Sequence, residues 1–468
     1  MNIQQIYTGC IAQAAYYLES DGEAAIFDPL REVQPYIDRA QQNGAKITYI
    51  FETHFHADFV SGHLDLAAKT GGKIVYGPTA KPQFEAIIAE DNQEFKVGRY
   101  TIKAIHTPGH TLESTCYLLF DENHKPHAII TGDTLFIGDV GRPDLAQTIA
   151  TDLTQELLAG HLYDSLRNKI MPLPDDVIIF PSHGAGSACG KNLSKETTDT
   201  LGNQKRTNYA LRADMSKAEF VDELLNGLAA PPAYFPQNVL MNIQGYESLD
   251  NVIEKSKRPI SPTEFLQIAA QTGAMILDVR HETEFVVEHI KGSMFIGING
   301  GFAPWVGALL MNVEQPILLV TPENKEEETI TRLARVGFDN VLGYLDGGIA
   351  TWKAAGFETD SIESISPDVF AQQAYSDDTE IVDARKPGEY ASGHLEAAKN
   401  LPLDTILSNV EAFPKEKKTF IHCAGGYRSV IMVSLLKARG IHNVVNVEKG
   451  MSGIKNTGLP IIQEAVSN

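Results

Sequence analysis

Residue types that bind metals follow several apolar, strand-like runs in the first half of the chain. They are His54, His56 and Asp58 after ITYIFE, His110 after TIKAI and a Pro-Gly turn, Asp133 after AIITG, and His183 after VIIFPS. Strands that end at one edge of a sheet can bring such side chains to one point, while the connecting loops leave one side open. Imidazoles and carboxylates are common ligands of divalent metals. The sequence therefore predicts a metal site built from the ends of several strands.

A cysteine in a short, glycine-containing loop is the second feature that could do chemistry. Cys423 ends the strand-like run KTFIHC. Gly425 and Gly426 let the backbone curl around the sulfur, and a helical pattern begins after Arg428. Backbone N–H groups, the helix N-terminus and the arginine can then converge on a thiolate or a persulfide anion. The loop therefore predicts a reactive cysteine rather than an ordinary buried one.

The elements that must position these residues have the pattern of α/β structure. In the first half, strand-like runs alternate with helical patterns at residues 31–43, 60–70 and 151–169. Residues 228–238, LAAPPAYFPQN, are rich in proline and are predicted to be irregular. We place the first domain boundary near Ser256.

An internal repeat fills the second half of the chain. The segment LDVRHETEFVVEHIKGS at Leu277 resembles VDARKPGEYASGHLEAA at Val382. The offset of about one hundred residues is a domain size rather than a solenoid period, so these are two copies of one small α/β domain. We therefore predict three domains, at residues 1–256, 257–362 and 363–468.

Composition narrows the class of protein. The chain is 43% hydrophobic and 21% charged, as in ordinary globular proteins. Its net charge of −21 argues against a nucleic-acid or anionic-membrane surface. No run approaches the roughly 18 apolar residues of a membrane span, and the N-terminus does not have the pattern of a secretory signal. Four widely spaced cysteines do not form a disulfide framework, so we expect a cytoplasmic protein.

About the first 240 residues resemble the metallo-β-lactamase superfamily, whose motif is HxHxDH followed by a distant His, Asp and His. The resemblance implies an αββα sandwich with metal at the edge between its sheets. It matches a first metal site with His54, His56, His110 and Asp133, and parts of a second with Asp58 and His183. Phe59 stands where the family has the last His of its first motif. Because phenylalanine cannot bind metal, we predict a single ion.

The branch most similar to this pattern is the persulfide dioxygenases. That resemblance implies one Fe(II) per chain, held by His54, His110 and Asp133. Two imidazoles and one carboxylate leave open positions for a substrate sulfur and O₂, as in other non-haem iron oxygenases. Three further residues are then either ligands or hydrogen-bonding neighbours of the ligands, namely His56, Asp58 and His183. For His56 we favour the hydrogen-bonding role.

Two cations and a cysteine lie near these residues in the sequence. Arg142, in TLFIGDVGRPDL, resembles the arginine that persulfide dioxygenases hold near iron, where it would pair with a substrate carboxylate or persulfide. The alternative is a surface arginine paired with Asp139 or Asp144. The segment PSHGAGSACGKNLS is predicted to bind the thiol carrier of the substrate, with Lys191 meeting a carboxylate or phosphate. Cys189 in this segment is either a reactive thiol or a small loop residue.

Both copies in the second half resemble the rhodanese family. The last copy has the family signature D-x-R…E-[YF]-x-x-G-H-[IL] and a CxxGxR loop of the length found in sulfurtransferases, which carry a persulfide on cysteine. The resemblance assigns catalysis and substrate binding to the loop residues Cys423, Arg428, Gly425, Gly426 and Tyr427. In the middle copy Thr321 stands in place of the cysteine, and the following PENKEEE disfavours a thiolate. We predict that the middle copy is inactive and acts as a spacer, a packing surface or an oligomer interface.

Together the domains most resemble bacterial persulfide dioxygenase–rhodanese fusions with an inactive middle domain. The implied reaction is oxidation of a low-molecular-weight persulfide, on glutathione, coenzyme A or a similar thiol, by O₂ to sulfite. The rhodanese would join sulfite with a second sulfane sulfur to give thiosulfate, or run the reverse, in sulfide detoxification. One alternative is a thiolester hydrolase of the glyoxalase II type with two Zn²⁺ ions. Another is a sulfur carrier or sensor.

Overall fold

The computed structural model describes residues 1–145, 153–191, 193–228, 230–413 and 416–463. The chain forms two compact units, one of Met1–Val252 with Leu333–Gly337, and one of Ile253–Arg332 with Phe338–Asn468. Among the described residues, every helix is too short or too polar to cross a bilayer.

Two sheets, each of six strands over the described residues, form the centre of the first unit. The first sheet has its strands in chain order: β1 (Asn2–Thr8), β2 (Gln13–Ser20), β3 (Glu23–Phe27), β4 (Lys46–Phe51), β5 (Lys73–Tyr76) and β6 (Ile87–Ile88). The second also has neighbours consecutive in the chain: β7 (Glu94–Val97), β8 (Tyr100–His106), β9 (Thr115–Phe120), β10 (Pro126–Gly132), β11 (Ile178–Pro181) and β12 (Asp199–Thr200).

Helices separate and follow the strands of this part of the chain. Their bounds are α1 (Gln34–Gln42), α2 (His63–Thr70), α3 (Gln155–Ser165), which continues as a π-helix (Leu166–Ile170), α4 (Leu201–Thr207), a 3₁₀ turn (Tyr209–Leu211), α5 (Lys217–Leu225), α6 (Phe235–Gln244) and α7 (Leu249–Ser256). Helices α1 and α2 pack on β4, and α3, α4 and α5 contribute to the core cluster on the second sheet.

Strand β9 shows why the layers form. Tyr117 and Leu119 lie in the core between the sheets, whereas Cys116, Leu118 and Phe120 pack with the helices outside. Successive side chains of a strand point to opposite faces, so a strand covered on both faces is apolar throughout. The predicted αββα sandwich is confirmed.

The proline-rich segment before α6 is partly helical, contrary to the sequence prediction. Helix α6 begins at Phe235, inside the stretch predicted to be irregular, and Pro236 lies in its first turn. Proline is tolerated there because the first N–H groups of a helix have no partner within the helix. The predicted helix of residues 151–169 is observed from Gln155, and its predicted start lies outside the described residues.

The second unit contains two copies of one fold. The first copy has β13 (Pro259–Ile260), α8 (Pro262–Thr272), β14 (Met275–Asp278), α9 (Glu282–Val287), β15 (His289–Ile290), β16 (Met294–Phe295), α10 (Phe302–Leu309), β17 (Ile317–Val320), α11 (Glu326–Ala334), β18 (Val341–Leu345), α12 (Gly348–Ala354) and β19 (Thr359–Asp360). Its main sheet has the order β13-β18-β17-β14-β16, and β15 pairs with β19.

The second copy repeats this plan. It has β20 (Ser364–Ile365), α13 (Pro367–Gln373), β21 (Thr379–Asp383), α14 (Pro387–Ala391), β22 (His394–Leu395), β23 (Ala398–Asn400), α15 (Ile406–Asn409) between 3₁₀ turns (Leu403–Thr405 and Val410–Ala412), β24 (Lys418–His422), α16 (Tyr427–Ala438), β25 (Val444–Val447), α17 (Gly450–Ile454) and β26 (Ile461–Ile462). Its main sheet, β20-β25-β24-β21-β23, has the same order as the first, which confirms the internal repeat.

Candidate metal centre and cysteine loop

Three of the predicted ligands meet where strands of both sheets end. His54 follows β4, His110 follows β8, and Asp133 follows β10. Their ligand atoms all lie within 4.8 Å of one another, and all three residues are buried. Asp133 Oδ2 is 3.4 Å from His110 Nε2 and 3.9 Å from His54 Nε2. The edge between the sheets therefore brings two imidazoles and one carboxylate to a single point.

Hydrogen bonds orient both imidazoles of this group. His110 Nδ1 lies 2.7 Å from the carbonyl oxygen of Arg142, so this nitrogen carries the proton and donates. Thr53 Oγ1 donates to Asp28 Oδ2 at 2.9 Å and is therefore an acceptor for His54 Nδ1, also at 2.9 Å. In both rings the Nε2 lone pair is left for a ligand on the side of Asp133.

The ring of His54 and the unpaired atoms of the group suit a metal site. Burial, together with the imidazoles of His56, His110 and His183, holds the pKa of His54 well below its usual value, so this ring is neutral. Among the described residues, His54 Nε2 and both carboxylate oxygens of Asp133 are buried without a hydrogen-bond partner. Each such atom costs about 1–3 kcal/mol when unsatisfied, and a bound cation would remove that cost. These residues therefore fit a divalent metal.

A second group lies beside the first. The ligand atoms of Asp58, His183 and Cys189 also lie within 4.8 Å of one another. His183 Nε2 is 3.4 Å from Asp58 Oδ2 and 3.5 Å from Asp133 Oδ1. Burial and the Asp58 and Asp133 carboxylates raise the pKa of Cys189 well above its usual value, so it is a thiol rather than a thiolate. The sequence did not reveal that Cys189 joins this group, because the loop that carries it has no periodic pattern.

His56 belongs to a third group, with Asp28 and Glu52. Its Nε2 lies 3.1 Å from Asp28 Oδ1 and 3.4 Å from Glu52 Oε2. Burial alone would lower the pKa of His56, but the two carboxylates raise it well above its usual value, so the ring is an imidazolium. A protonated imidazole has no lone pair for a metal. Sequence reasoning missed both carboxylates, although each follows an apolar strand just as the ligands do.

The loop that carries His54 to Phe59 is held by the proline-containing segment and α6. Asn242 Nδ2 donates to the carbonyl oxygens of His56 and Phe59, at 2.8 and 2.9 Å. The hydroxyl of Tyr234 donates to the carbonyl oxygen of Asp58 at 3.2 Å. Phe59 is fully buried, with its ring 4.3 Å from that of His56. The segment is therefore part of the frame of the metal centre.

The two predicted anion-binding cations already have partners inside the protein. Arg142 forms a bidentate ion pair with Asp144, at 2.6 and 2.7 Å, which is the alternative role given for it above, although the pair is buried rather than exposed. Lys191 Nζ donates to the carbonyl oxygens of Glu223, at 2.7 Å, and Asn226 at the end of α5. Substrate binding by these side chains stays a prediction.

Gly141 fits tightly against the metal centre, and its replacement by alanine is expected to damage the centre. A Cβ at this position would lie 2.1 Å from the carbonyl oxygen of Asp133 and 2.9 Å from His110 Nδ1. Both ligands would have to move, so we expect the metal retained after dialysis to fall at least about tenfold. The matched control is Gly9→Ala, whose Cβ would have no neighbour within 4 Å. Equal metal content in both variants would contradict the expectation.

The loop after β24 encloses the sulfur of Cys423. Its Sγ accepts a hydrogen bond from the N–H of Gly426 at 3.1 Å and lies 3.6 Å from Ser429 Oγ. Gly426 has a φ of +112°, which favours glycine, and α16 begins at the next residue. A side chain at Gly425 would meet nothing within 4 Å. The sulfur therefore lies at a helix N-terminus, beneath a loop with open space on one side.

Arg428 and Tyr427 have other contacts in the structure. The Arg428 guanidinium forms a bidentate pair with Glu389, at 2.6 and 2.8 Å. The Tyr427 hydroxyl donates to the carbonyl oxygen of Gly297 in the first copy, at 2.7 Å. Stabilisation of anions by Arg428 and substrate binding by Tyr427 stay predictions.

The corresponding loop of the first copy also has a residue with positive φ, but it has no thiol. Asn324 has a φ of +61° at the position of Gly426. Thr321 takes the place of the cysteine, and its Oγ1 donates to Glu326 Oε1 at 3.3 Å. A carboxylate thus stands where the second copy has Arg428. The missing thiol is the reason for predicting that this copy is inactive, and the inactivity stays a prediction.

Comparison with known proteins agrees with this architecture. Residues 8–183 match the metallo-β-lactamase superfamily, and residues 261–355 and 366–457 each match the rhodanese-like domain. The crystal structure of a metallo-β-lactamase from Staphylococcus aureus subsp. aureus COL is 32% identical, covers 74% of this chain and 98% of that one, and superposes with a TM-score of 0.63. That of ETHE1 from Myxococcus xanthus is 25% identical and covers 52% of this chain and 98% of that one, with a TM-score of 0.44.

Among curated proteins, the chain is similar to hydroxyacylglutathione hydrolases. The one named "probable hydroxyacylglutathione hydrolase" from Schizosaccharomyces pombe is 30% identical over 183 residues, which are 38% of this chain and 66% of that protein. The chain thus spans slightly less than two thirds of this relative, and the match lies within less than half of the chain.

Proposed function

The chain belongs to the metallo-β-lactamase superfamily and carries two rhodanese-like domains. On that premise, we propose that it oxidises a low-molecular-weight thiol persulfide to sulfite and then transfers a sulfane sulfur to the sulfite. In the first reaction, R–S–SH, O₂ and water give R–SH and sulfurous acid, so sulfur is oxidised and dioxygen reduced. In the second, the Cys423 thiol takes the sulfane sulfur of another persulfide and releases R–SH. Sulfite then takes that sulfur from Cys423 and leaves as thiosulfate.

The observation that carries this proposal is the ligand set of His54, His110 and Asp133. Two neutral nitrogens and a carboxylate are the donors that non-haem Fe(II) oxygenases use, and three protein ligands leave positions for substrate and O₂. Bound there, Fe(II) would supply the redox chemistry that activates O₂. The presence of a loop that can hold sulfur on Cys423 in the same chain favours a sulfur substrate.

The surrounding residues of the chain keep this ligand set in place. The carbonyl oxygen of Arg142 fixes the ring of His110, and the ion pair of Arg142 with Asp144 fixes that segment in turn. The ligands are nearly inaccessible to water, which strengthens their interaction with a cation. At the second site, the N–H of Gly426 points at Cys423 Sγ and would stabilise a sulfur anion.

Metal analysis tests the ligand assignment. We expect one iron per chain, because His54, His110 and Asp133 form one group of donors, whereas Phe59 stands where a second site would have its histidine. The measurement is the metal content of the purified, anaerobically loaded protein by mass spectrometry. Two zinc ions per chain would contradict the expectation.

Oxygen uptake tests the reaction. Iron-loaded protein is expected to consume O₂ when glutathione persulfide or coenzyme A persulfide is added, with sulfite and thiosulfate formed together. Persulfide left standing without protein is the control. If the loaded protein consumes no O₂ with any persulfide, the proposal fails, and a sulfur carrier becomes the better interpretation.

A second candidate function is thiolester hydrolysis with two zinc ions. The hydroxyacylglutathione hydrolases among the relatives favour it, as does the proximity of Asp58, His183 and Cys189, which could hold a second ion if the thiol lost its proton. Release of free thiol from a hydroxyacylglutathione by zinc-loaded protein would support this alternative.

A further inference from the structure

Tyr427, in the cysteine loop, has a side chain that contacts the first rhodanese-like domain. Its hydroxyl donates to the carbonyl oxygen of Gly297 at 2.7 Å, and its ring packs edge-on to Phe295 with centroids 5.8 Å apart. The ring also lies directly on the backbone of Gly300, where a Cβ would be 2.2 Å from Tyr427 Cζ. Residues 295–300 of the first rhodanese-like domain thus form a slot for this one side chain.

The slot can hold the ring of Tyr427 only because residues 297 and 300 are glycines. At Gly297, too, a Cβ would lie 3.2 Å from Tyr427 Cε2 and 2.9 Å from Phe295 Cζ. Burial in this slot raises the pKa of Tyr427, so its hydroxyl keeps the proton that it donates. The equivalent residue of the first copy, Lys325, is exposed and pairs with Glu328 of its own domain. Only the domain with the cysteine, within the described residues, has this contact.

The opposite side of the loop is held within its own domain. The carbonyl oxygens of Cys423 and Ala424 accept hydrogen bonds from the N–H groups of Met451 and Ser452, at 2.7 and 3.0 Å. Between these bonds and Tyr427 lie the two glycines of the loop, which have the widest conformational freedom of any residue type. The N–H that reaches the sulfur belongs to Gly426, next to Tyr427. The slot therefore holds the end of the loop that carries the N–H donor.

We propose that the first rhodanese-like domain, which lacks a cysteine, positions the Cys423 loop of the second by holding Tyr427 in the slot of residues 295–300. The inference rests on the proposed sulfur transfer at Cys423. Tyr427 acts as a positioning residue: it does not touch the sulfur but keeps the N–H of Gly426 directed at it. The first rhodanese-like domain then contributes to sulfur transfer by holding the loop that carries Cys423.

Two adjacent glycines offer a matched test in the full-length chain. Gly300→Ala closes the slot, whereas a Cβ at Gly301 would meet only Trp305 at 3.4 Å, an ordinary contact. We expect Gly300→Ala to lower kcat for thiosulfate formation from persulfide and sulfite by about tenfold or more, with KM changed less than about twofold. The pH at which Cys423 becomes reactive toward alkylation should also rise, because the thiolate loses its N–H donor. Gly301→Ala should match the wild type in both measurements.

Each outcome of the test is decisive. A Gly300→Ala variant with the wild-type kcat and the wild-type alkylation profile overturns the inference. If that variant does not fold, as judged by thermal unfolding, Tyr427→Ala is the second test, because it empties the slot without a clash. An unchanged alkylation profile in Tyr427→Ala also overturns the inference. A raised KM with an unchanged kcat in this variant overturns it as well and assigns Tyr427 to substrate binding. If the wild type transfers no sulfur, the proposed function fails, while the alkylation profiles still decide the positioning role.

Discussion

His110→Ala is expected to remove bound metal and oxygen uptake together. The imidazole is buried, its Nε2 lies 3.4 Å from Asp133 Oδ2, and its Nδ1 is fixed by the carbonyl oxygen of Arg142. Alanine would leave two ligands and a cavity, and two ligands hold a divalent ion poorly. Even loss of a residue that only orients a ligand costs about 10- to 100-fold in metal affinity, so loss of the ligand should cost at least about 100-fold. Metal content after dialysis and O₂ uptake with persulfide measure the two effects.

The control for this variant is His127→Ala. His127 lies on β10 of the same sheet and belongs to none of the three groups of ligand atoms among the described residues. It should keep both metal and uptake. Sulfur transfer at Cys423, which lies in the other unit, should persist in both variants, and thermal unfolding checks that the first unit has folded. Oxygen uptake retained by His110→Ala would place the reaction at another site.

The strand-end pattern predicted which candidate ligands lie close together, and the reason is geometric. An apolar run shows where a strand ends, and strands of a sandwich bring their ends to shared edges, so His54, His110 and Asp133 can be grouped from the amino-acid sequence alone. The pattern does not give the direction of a side chain in the loop beyond the strand. His56, two residues after His54, faces Asp28 and Glu52, and nothing in the spacing distinguishes the two histidines.

Contacts between residues far apart in the chain also could not be predicted from the sequence. Tyr427 is 130 residues from Gly297, and neither residue has a pattern that pairs them. Helix α6 was missed for a local reason, since prolines indicate irregular structure unless one of them occupies the first turn. The repeat, by contrast, was visible as matched segments, and the common strand order follows from it.

Cys423→Ser is expected to abolish sulfur transfer and to leave oxygen uptake at the wild-type rate. Serine has nearly the shape of cysteine, so the loop and the N–H of Gly426 should stay in place. A hydroxyl cannot form the persulfide that carries the sulfane sulfur, because that step needs a thiolate. The oxidation uses the separate ligand set of His54, His110 and Asp133. With persulfide and O₂, the variant should therefore accumulate sulfite where the wild type forms thiosulfate.

The matched control is Cys10→Ser, because Cys10 is a partly exposed free cysteine outside every ligand group of the described residues. It should form thiosulfate at the wild-type rate. Thiosulfate formed by Cys423→Ser at that same rate would show that another thiol carries the sulfur. If Cys423→Ser instead loses oxygen uptake as well as transfer, while thermal unfolding is unchanged, the division into two independent sites is wrong. Oxidation would then require sulfur delivered through Cys423, because no other group of the cysteine loop is altered by the substitution.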